Sequence, residues 1–426
     1  MDLSASLSAP LRLPCGVRIE NRVLKAAMTE GLADRFDRPN LRHVALYQRW
    51  AAAGAGIMLT GNVMVDRRYL ERPGNVVVED ESAMEALVAW AEAGTARGRQ
   101  LWMQISHPGR QCSRFVTREP VAPSAVQLRL GGLFGRPRAL AEDEIEDVIA
   151  RFARTAGIAK RAGFGGVQVH GAHGYLASQF LSPRVNQRSD RWGGTLENRA
   201  RFLREAVRAV RRTVGADYPV AVKLNSSDFQ KGAFTPEDAC QVAAWLVEDG
   251  IDLLEISGGT YEQPRLLGLG EEPALAEGTR RREAYFLEYA ADIRRAANVP
   301  LAVTGGFRTR RAMESALASG ALDVIGVARP FCVEPEIAEE LLSDPNASAP
   351  SHERSLSLGP GLLGPRSSSP VLRGLNAQAQ TAWYYQQIIE LAEGRAPDLT
   401  LSPWYALLRH FAREWRTSRA RAARSR

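Results

Sequence analysis

Lysine is nearly absent from this chain. Only Lys25, Lys160, Lys223 and Lys231 stand among 55 lysines plus arginines. Cysteine is as sparse: Cys15, Cys112, Cys240 and Cys332 lie far apart, with no C-x-x-C pair. That spacing offers neither a structural zinc site nor a compact iron–sulfur site. Four separate thiols fit a protein of the reducing cytoplasm, which is the expected location. No apolar run approaches the roughly 18 residues of a membrane span. The opening MDLSASLSAPLRLPCG has no basic start followed by an apolar stretch, so no secretory signal is expected. No G-x-G-x-x-G follows the first strand-like run, which argues against a doubly wound open sheet.

What is present is an ordinary globular balance, 45% hydrophobic and 24% charged over 426 residues. Part of the net charge of +7 is local. From Arg409 the chain reads RHFAREWRTSRARAARSR, with seven arginines and a single acid, Glu414. Such a run can meet nucleic acid or anionic lipid. The body carries no basic patch interleaved with aromatics. The tail is therefore expected to be a solvated, fraying terminus, with no nucleic-acid and no membrane partner.

Short apolar runs alternate with amphipathic ones, the pattern of parallel strands joined by crossover helices. Strands are predicted at 23–28, 56–65, 100–106, 166–171, 219–224, 252–257, 300–306 and 323–329. Thr235-Pro236-Glu237-Asp238 and Thr195-Leu196-Glu197 read as helix starts. Eight β/α units predict an α/β fold, a (β/α)8 barrel with a C-terminal helical extension. The expected division is a barrel over 1–345, a Pro/Gly/Ser-rich linker over 346–370 and helices over 371–426. Long loops at 107–140 and 258–281 follow strands three and six, on the face where barrel sites form. In the extension, Trp383, Tyr384, Ile388 and Leu391 share a helical stripe that is expected to dock on the barrel.

Chemistry collects at the strand ends. Strand seven ends in Thr304-Gly305-Gly306-Phe307 and strand eight in Gly326-Val327-Ala328-Arg329. Glycines admit an anion close to the backbone and arginine grips it with two prongs, so a phosphate is expected here. Lys223, by alternation, faces opposite to Val222 and Leu224, toward the barrel mouth. A buried cation needs a negative partner. A structural ion pair, a Schiff-base nucleophile and a counter-charge for a ligand are all open. Gln104, on strand three, can pair with a heterocycle bearing adjacent N–H and C=O groups.

His170, His173 and Tyr175 then arrive within six positions at the end of strand four, in a chain with only six histidines. H-x-x-H is half a metal site, but no third ligand stands at suitable spacing, and no metal is expected. A pair of core histidines is one alternative. Another is a clamp of two N–H donors on a carbonyl oxygen where charge develops, with Tyr175 as a proton source. Reduction of a C=C bond conjugated to a carbonyl needs that arrangement, and its hydride must come from a cofactor.

HGAHGYLASQFLSPRVNQRSDRWGGTLENR resembles the signature of the Old Yellow Enzyme family of FMN-dependent oxidoreductases. NRVLKAAMTE, LWMQISHPGRQ, RALAEDEIEDVI, TGGF and VIGVARPF follow in that family's order, and the resemblance covers roughly residues 10–345. It implies FMN on the C-terminal face of a barrel, reduced by NADH or NADPH. By the same resemblance Ala27, Met28 and Thr29 line the flavin, Gly61 adds a backbone contact and Gln104 bonds the pyrimidine ring. Lys223 sits by the N1/C2 carbonyl edge, and Gly305, Gly306, Ala328 and Arg329 hold the phosphate. His170 and His173 clamp an enone-type substrate, Tyr175 protonates it, and Tyr261 lines the pocket. Many members carry arginine at the position of Lys223, and lysine keeps the charge without the fork. His173 matches the two-histidine branch, and no iron–sulfur segment or second nucleotide domain is expected. The implied activity is ene reduction, or a related dehydrogenase or demethylase reaction on the same flavin. A Schiff-base aldolase using Lys223 and a scaffold using the arginine tail are the rivals. The oligomeric state, homo-oligomer or monomer, is left open.

Overall fold

Each strand-like run contains a strand in the computed structural model, which describes residues 6–129, 132–257 and 289–423. These are β1 (Val23–Lys25), β2 (Ile57–Leu59), β3 (Gln100–Ser106), β4 (Gly166–Gly171), β5 (Val220–Asn225), β6 (Leu253–Ser257), β7 (Leu301–Thr304) and β8 (Val324–Val327). Neighbours are parallel, β8 pairs back onto β1, and β2 pairs β3, so eight strands close into a barrel. The 56–65 run is broken. A second short strand, Val63–Met64, also pairs β3 after an interruption at Thr60-Gly61-Asn62. β7 stops at Thr304 because Gly305 and Gly306 take φ of 133° and 82°.

Crossover helices cover the outside: α1 (Leu41–Ala52), α2 (Met84–Thr95), α3 (Glu142–Arg161), α4 (Leu196–Val214), α5 (Pro236–Glu248), α6 (including residues 289–296) and α7 (Arg310–Ala318). Local chemistry starts two of them, α4 and α5, as the sequence predicts. Thr195 caps α4 by accepting from Asn198 N–H, and Thr235 and Asp238 form a capping box on α5 with Pro236 in its first turn.

The alternation of each strand divides two cores. Outward residues such as Val167, Val169, Val220, Val222 and Leu254 join the helices in the larger one. Inward residues Leu24, Ile57, Leu59, Trp102, Ala221, Leu253, Ala302 and Val324 fill the barrel floor. An N-terminal hairpin (Leu11–Arg12 with Arg18–Ile19) adds Leu13 and Ile19 to that floor. One inward step further along the strands the residues turn polar: Gln104, Gln168, Lys223, Glu255 and Thr304.

Beyond the barrel, α8 (Pro370–Ala392) and α9 (Pro403–Ala422) pack on each other, and α8 on α1. Trp383, Tyr384, Ile388 and Leu391 are buried in that packing. Over its described residues the arginine-rich terminus does not fray as its local charge suggests, although Arg409, Arg416 and Arg419 are exposed. It is helical to Ala422, and Arg421 Nε donates to Asp37 Oδ1 at 2.8 Å. Arg72 pairs with Glu414 at 3.0 Å. The partners of Arg421 and Glu414, Asp37 and Arg72, come from the first loops of the barrel, which local composition does not reveal.

Candidate active site

The polar layer forms a connected network inside the barrel. Parallel register sets Lys223 beside His170 on β4 and beside Glu255 on β6. Lys223 Nζ lies 2.8 Å from Glu255 Oε1, and both side chains are buried. Gln104 Nε2 donates to Gln168 Oε1 (2.6 Å), Gln168 Nε2 to Glu255 Oε2 (2.7 Å) and Thr304 Oγ1 to Glu255 Oε1 (2.6 Å). The carboxylate of Glu255 thus gathers three donors from three strands. Sequence reading missed Glu255 and Gln168. The signal was an acid inside the apolar run DLLEIS, in phase with the inward residues Leu253 and Ser257.

His170, His173 and Tyr175 come together at the C-terminal end of β4. The His170 ring lies 5.1 Å from that of His173 and 4.7 Å from that of Tyr175. His170 Nδ1 accepts the Ala172 N–H at 3.2 Å. In the neutral ring the proton therefore sits on Nε2, which is left as a donor. Burial first, then His173 and Lys223, hold His170 well below the usual histidine range. His173 is held down by burial and Lys223. His173 takes φ of 59°, a left-handed conformation uncommon outside glycine. Its N–H donates to Asn225 Oδ1 (3.1 Å) and its Nε2 lies 2.7 Å from Ser257 Oγ. Asn225 and Ser257, the last residues of β5 and β6, were not singled out from sequence.

The end of β1 meets the loop after β2 at Gly61. A Cβ there would stand 2.2 Å from Glu30 Oε2 and 2.5 Å from Met28 O, so only glycine permits the approach. Gly61 N–H donates to Glu30 Oε1 at 2.8 Å, and Tyr47 O–H donates to the same oxygen. Thr29 Oγ1 donates to Glu71 Oε2 (2.8 Å). Ala27 and Ala328 both pack on the barrel-interior cluster, and Met28 Sδ touches Cys332 Sγ at 3.5 Å.

At the ends of β7 and β8 the N–H groups of Gly305 and Gly306 donate no backbone hydrogen bond among the described residues. Arg329 is partly exposed, and its guanidinium lies 3.7 Å from Glu353 Oε1. Arg308 donates to the same oxygen at 2.7 Å, and Tyr384 O–H to the other at 2.8 Å. Desolvation opposes ionisation of Glu353, but Arg329 and Arg308 outweigh it and pull its pKa down to about 2. Arg308 and Glu353 are further residues the sequence reading passed over. Tyr261 and the 258–281 loop lie outside the described residues. Among the described residues no helix is long and apolar enough to cross a membrane.

A closed parallel barrel carries a buried cation–acid pair at its centre, with glycines at the end of β7 and an arginine at the end of β8. The chain belongs to the NADH:flavin oxidoreductase / NADH oxidase family, whose model it matches over residues 6–346. It is 37% identical over 364 residues to a Hypocrea jecorina protein named NADH-dependent flavin oxidoreductase iliE, covering 80% of this chain and 89% of that one. Among solved structures it resembles an old yellow enzyme homologue from Zymomonas mobilis (TM-score 0.68, 26% identity, 83% of this chain and 97% of that one). It also resembles a 2-naphthoyl-CoA reductase in complex with 2-naphthoyl-CoA (TM-score 0.74, 27% identity). That match covers 82% of this chain but only 54% of the reductase. The chain is thus an FMN-dependent oxidoreductase of the Old Yellow Enzyme family, drawing electrons from NADH or NADPH.

Proposed function

We propose that this oxidoreductase reduces C=C bonds conjugated to a carbonyl. The observation that carries the reading is the grouping of His170, His173 and Tyr175, with the His170 proton assigned to Nε2 by the Ala172 hydrogen bond. The name of the 2-naphthoyl-CoA reductase supports a reductive direction.

The residues present fit FMN. The N–H groups of Gly305 and Gly306, which donate no backbone hydrogen bond among the described residues, would hold its phosphate with Ala328 and Arg329. Ala27, Met28, Thr29 and Gly61 would line the ring, Gln104 would bond its pyrimidine and Lys223 would face its carbonyl edge. FMN, when bound, supplies the hydride. His170 and His173 stay neutral at neutral pH and donate N–H bonds to the substrate carbonyl, where negative charge develops as the β-carbon is reduced. Tyr175 gives its O–H proton to the α-carbon and is reprotonated from solvent. Glu255 holds Lys223 in place through their ion pair.

The test is an anaerobic spectrum of the FMN-loaded enzyme, bleached by NADH or NADPH and then exposed to cyclohexenone. Return of the oxidised bands is expected. His170→Ala with His173→Ala should keep FMN but lose the charge-transfer band that a phenol, an enolate mimic, produces. A persistent band would place the clamp elsewhere. Tyr175→Phe should slow reoxidation by the enone more than reduction by nicotinamide. Equal slowing would remove Tyr175 as the proton donor.

A further inference from the structure

Beside the barrel, α8, α9 and the start of α1 enclose an open cleft of about 490 Å³. Its lining holds five arginines, Arg42, Arg395, Arg409, Arg413 and Arg416, against one acid, Glu390. That acid is already engaged, because Arg395 pairs with it and with Glu393. Among the described residues, Arg42, Arg409, Arg413 and Arg416 have no carboxylate within ion-pair distance. Arg42 donates to Leu32 O at 2.8 Å, Arg413 to Gly31 O at 3.2 Å and Arg416 to Ala412 O at 3.2 Å, while Arg409 lies over the Tyr405 ring. Most of the five N–H donors of each guanidinium are therefore left over.

These charges stand close together. Arg409, Arg413 and Arg416 follow one another at helical spacing along one face of α9, where like charges repel. Arg413 is partly buried. Its pKa is pushed down to about 10 by burial, then by Arg42, Arg72 and Arg416, with only Glu393 acting the other way. Uncompensated guanidinium groups converging on a concave surface are a receptor for an anion with several oxygens.

We propose that this cleft binds a small phosphate-bearing anion at a site separate from the FMN and substrate positions. Phosphate oxygens accept paired N–H bonds from several arginines at once, and a multiply charged group matches four unpaired cations better than a single carboxylate does. A cleft of about 490 Å³ is the size of a small-molecule site, short of what a lipid surface or a polynucleotide would cover.

Pyrophosphate titrated calorimetrically into the FMN-loaded enzyme at constant ionic strength tests this. Loaded enzyme is used so that the phosphate seat by Arg329 is already filled. Saturable binding of one pyrophosphate per chain is expected. Arg413→Gln with Arg416→Gln should weaken it at least tenfold, while FMN content and the melting temperature without pyrophosphate are kept or improved. No saturable binding, or equal affinity in the variant, would overturn the proposal. So would tighter binding to phosphatidylcholine vesicles containing phosphatidylserine than to pyrophosphate, which would make the arginines a membrane-facing surface.

Discussion

Lys223 and Glu255 give the sharpest test of how the barrel interior is built. Glu255 is completely buried and its strongest partner is the Lys223 ammonium at 2.8 Å. Lys223→Met removes the cation and leaves a carboxylate in the interior with two neutral donors, Gln168 and Thr304. Removing one member of a buried pair costs about 3–5 kcal/mol, because the remaining charge has lost its compensation. Glu255→Gln strands the ammonium and should cost a similar amount. With an unfolding entropy of about 2.1 cal/mol/K per residue, that loss lowers the melting temperature of a chain this long by roughly 3–6 °C. The double variant removes both charges and keeps most of the volume. Its loss should fall short of the sum of the singles by about 2–4 kcal/mol. Melts followed by circular dichroism, at one saturating FMN concentration so that ligand stabilisation is constant, read all four proteins. A double variant that loses the full sum would mean that the pair is not coupled. The flavin potential supplies a second readout. Lys223→Met should lower it by removing positive charge, and Glu255→Gln should raise it. A shift of the same sign in both would refute an electrostatic action of the pair on the flavin.

Gly61→Ala forces a Cβ to within 2.5 Å of Met28 O and closer still to Glu30, so the end of β1 must move. The variant should lose about 1–3 kcal/mol of stability and hold FMN more weakly; an unchanged melting temperature and FMN dissociation constant would show that this contact does not shape the site. Burial pushes the His43 and His107 pKa values down to about 3 and about 4. Below about pH 6.5 the unfolded chain takes up protons that these folded imidazoles refuse, so stability should fall with pH, each histidine contributing up to about 1.4 kcal/mol per unit. His43→Gln should flatten the fall in melting temperature between pH 6.5 and 4, and an unaltered slope would rule His43 out as a contributor. Arg421→Leu removes both hydrogen bonds to the buried Asp37 and should cost about 1.5–3 kcal/mol, read by urea unfolding. No change in midpoint would return the terminus to the solvent.

What could be read from the sequence depended on how far apart the interacting groups are. Thr235 caps α5 because its partner, Asp238, is three residues away, and the hydroxyl, proline and acid stand together in the text of the chain. The strands were legible for a related reason. Inward and outward residues alternate within each run, so Lys223 could be assigned to the inside of the barrel from Val222 and Leu224 alone. The identity of its partner could not. Lys223 meets Glu255 because β5 and β6 pair in one register, and barrel closure sets that register. A shift by one residue would put Leu254 or Ile256 opposite Lys223 and leave a cation against a hydrocarbon. The buried ion pair therefore disfavours every odd register, in addition to any role beside the flavin. The same reasoning explains the arginine tail. Its composition predicted a solvated end, but Arg421 finds Asp37 across 384 residues of chain. A charge is solvated or paired according to what the fold brings to it, and for α9 that is the pair of loops after β1 and β2, which carry Asp37 and Arg72.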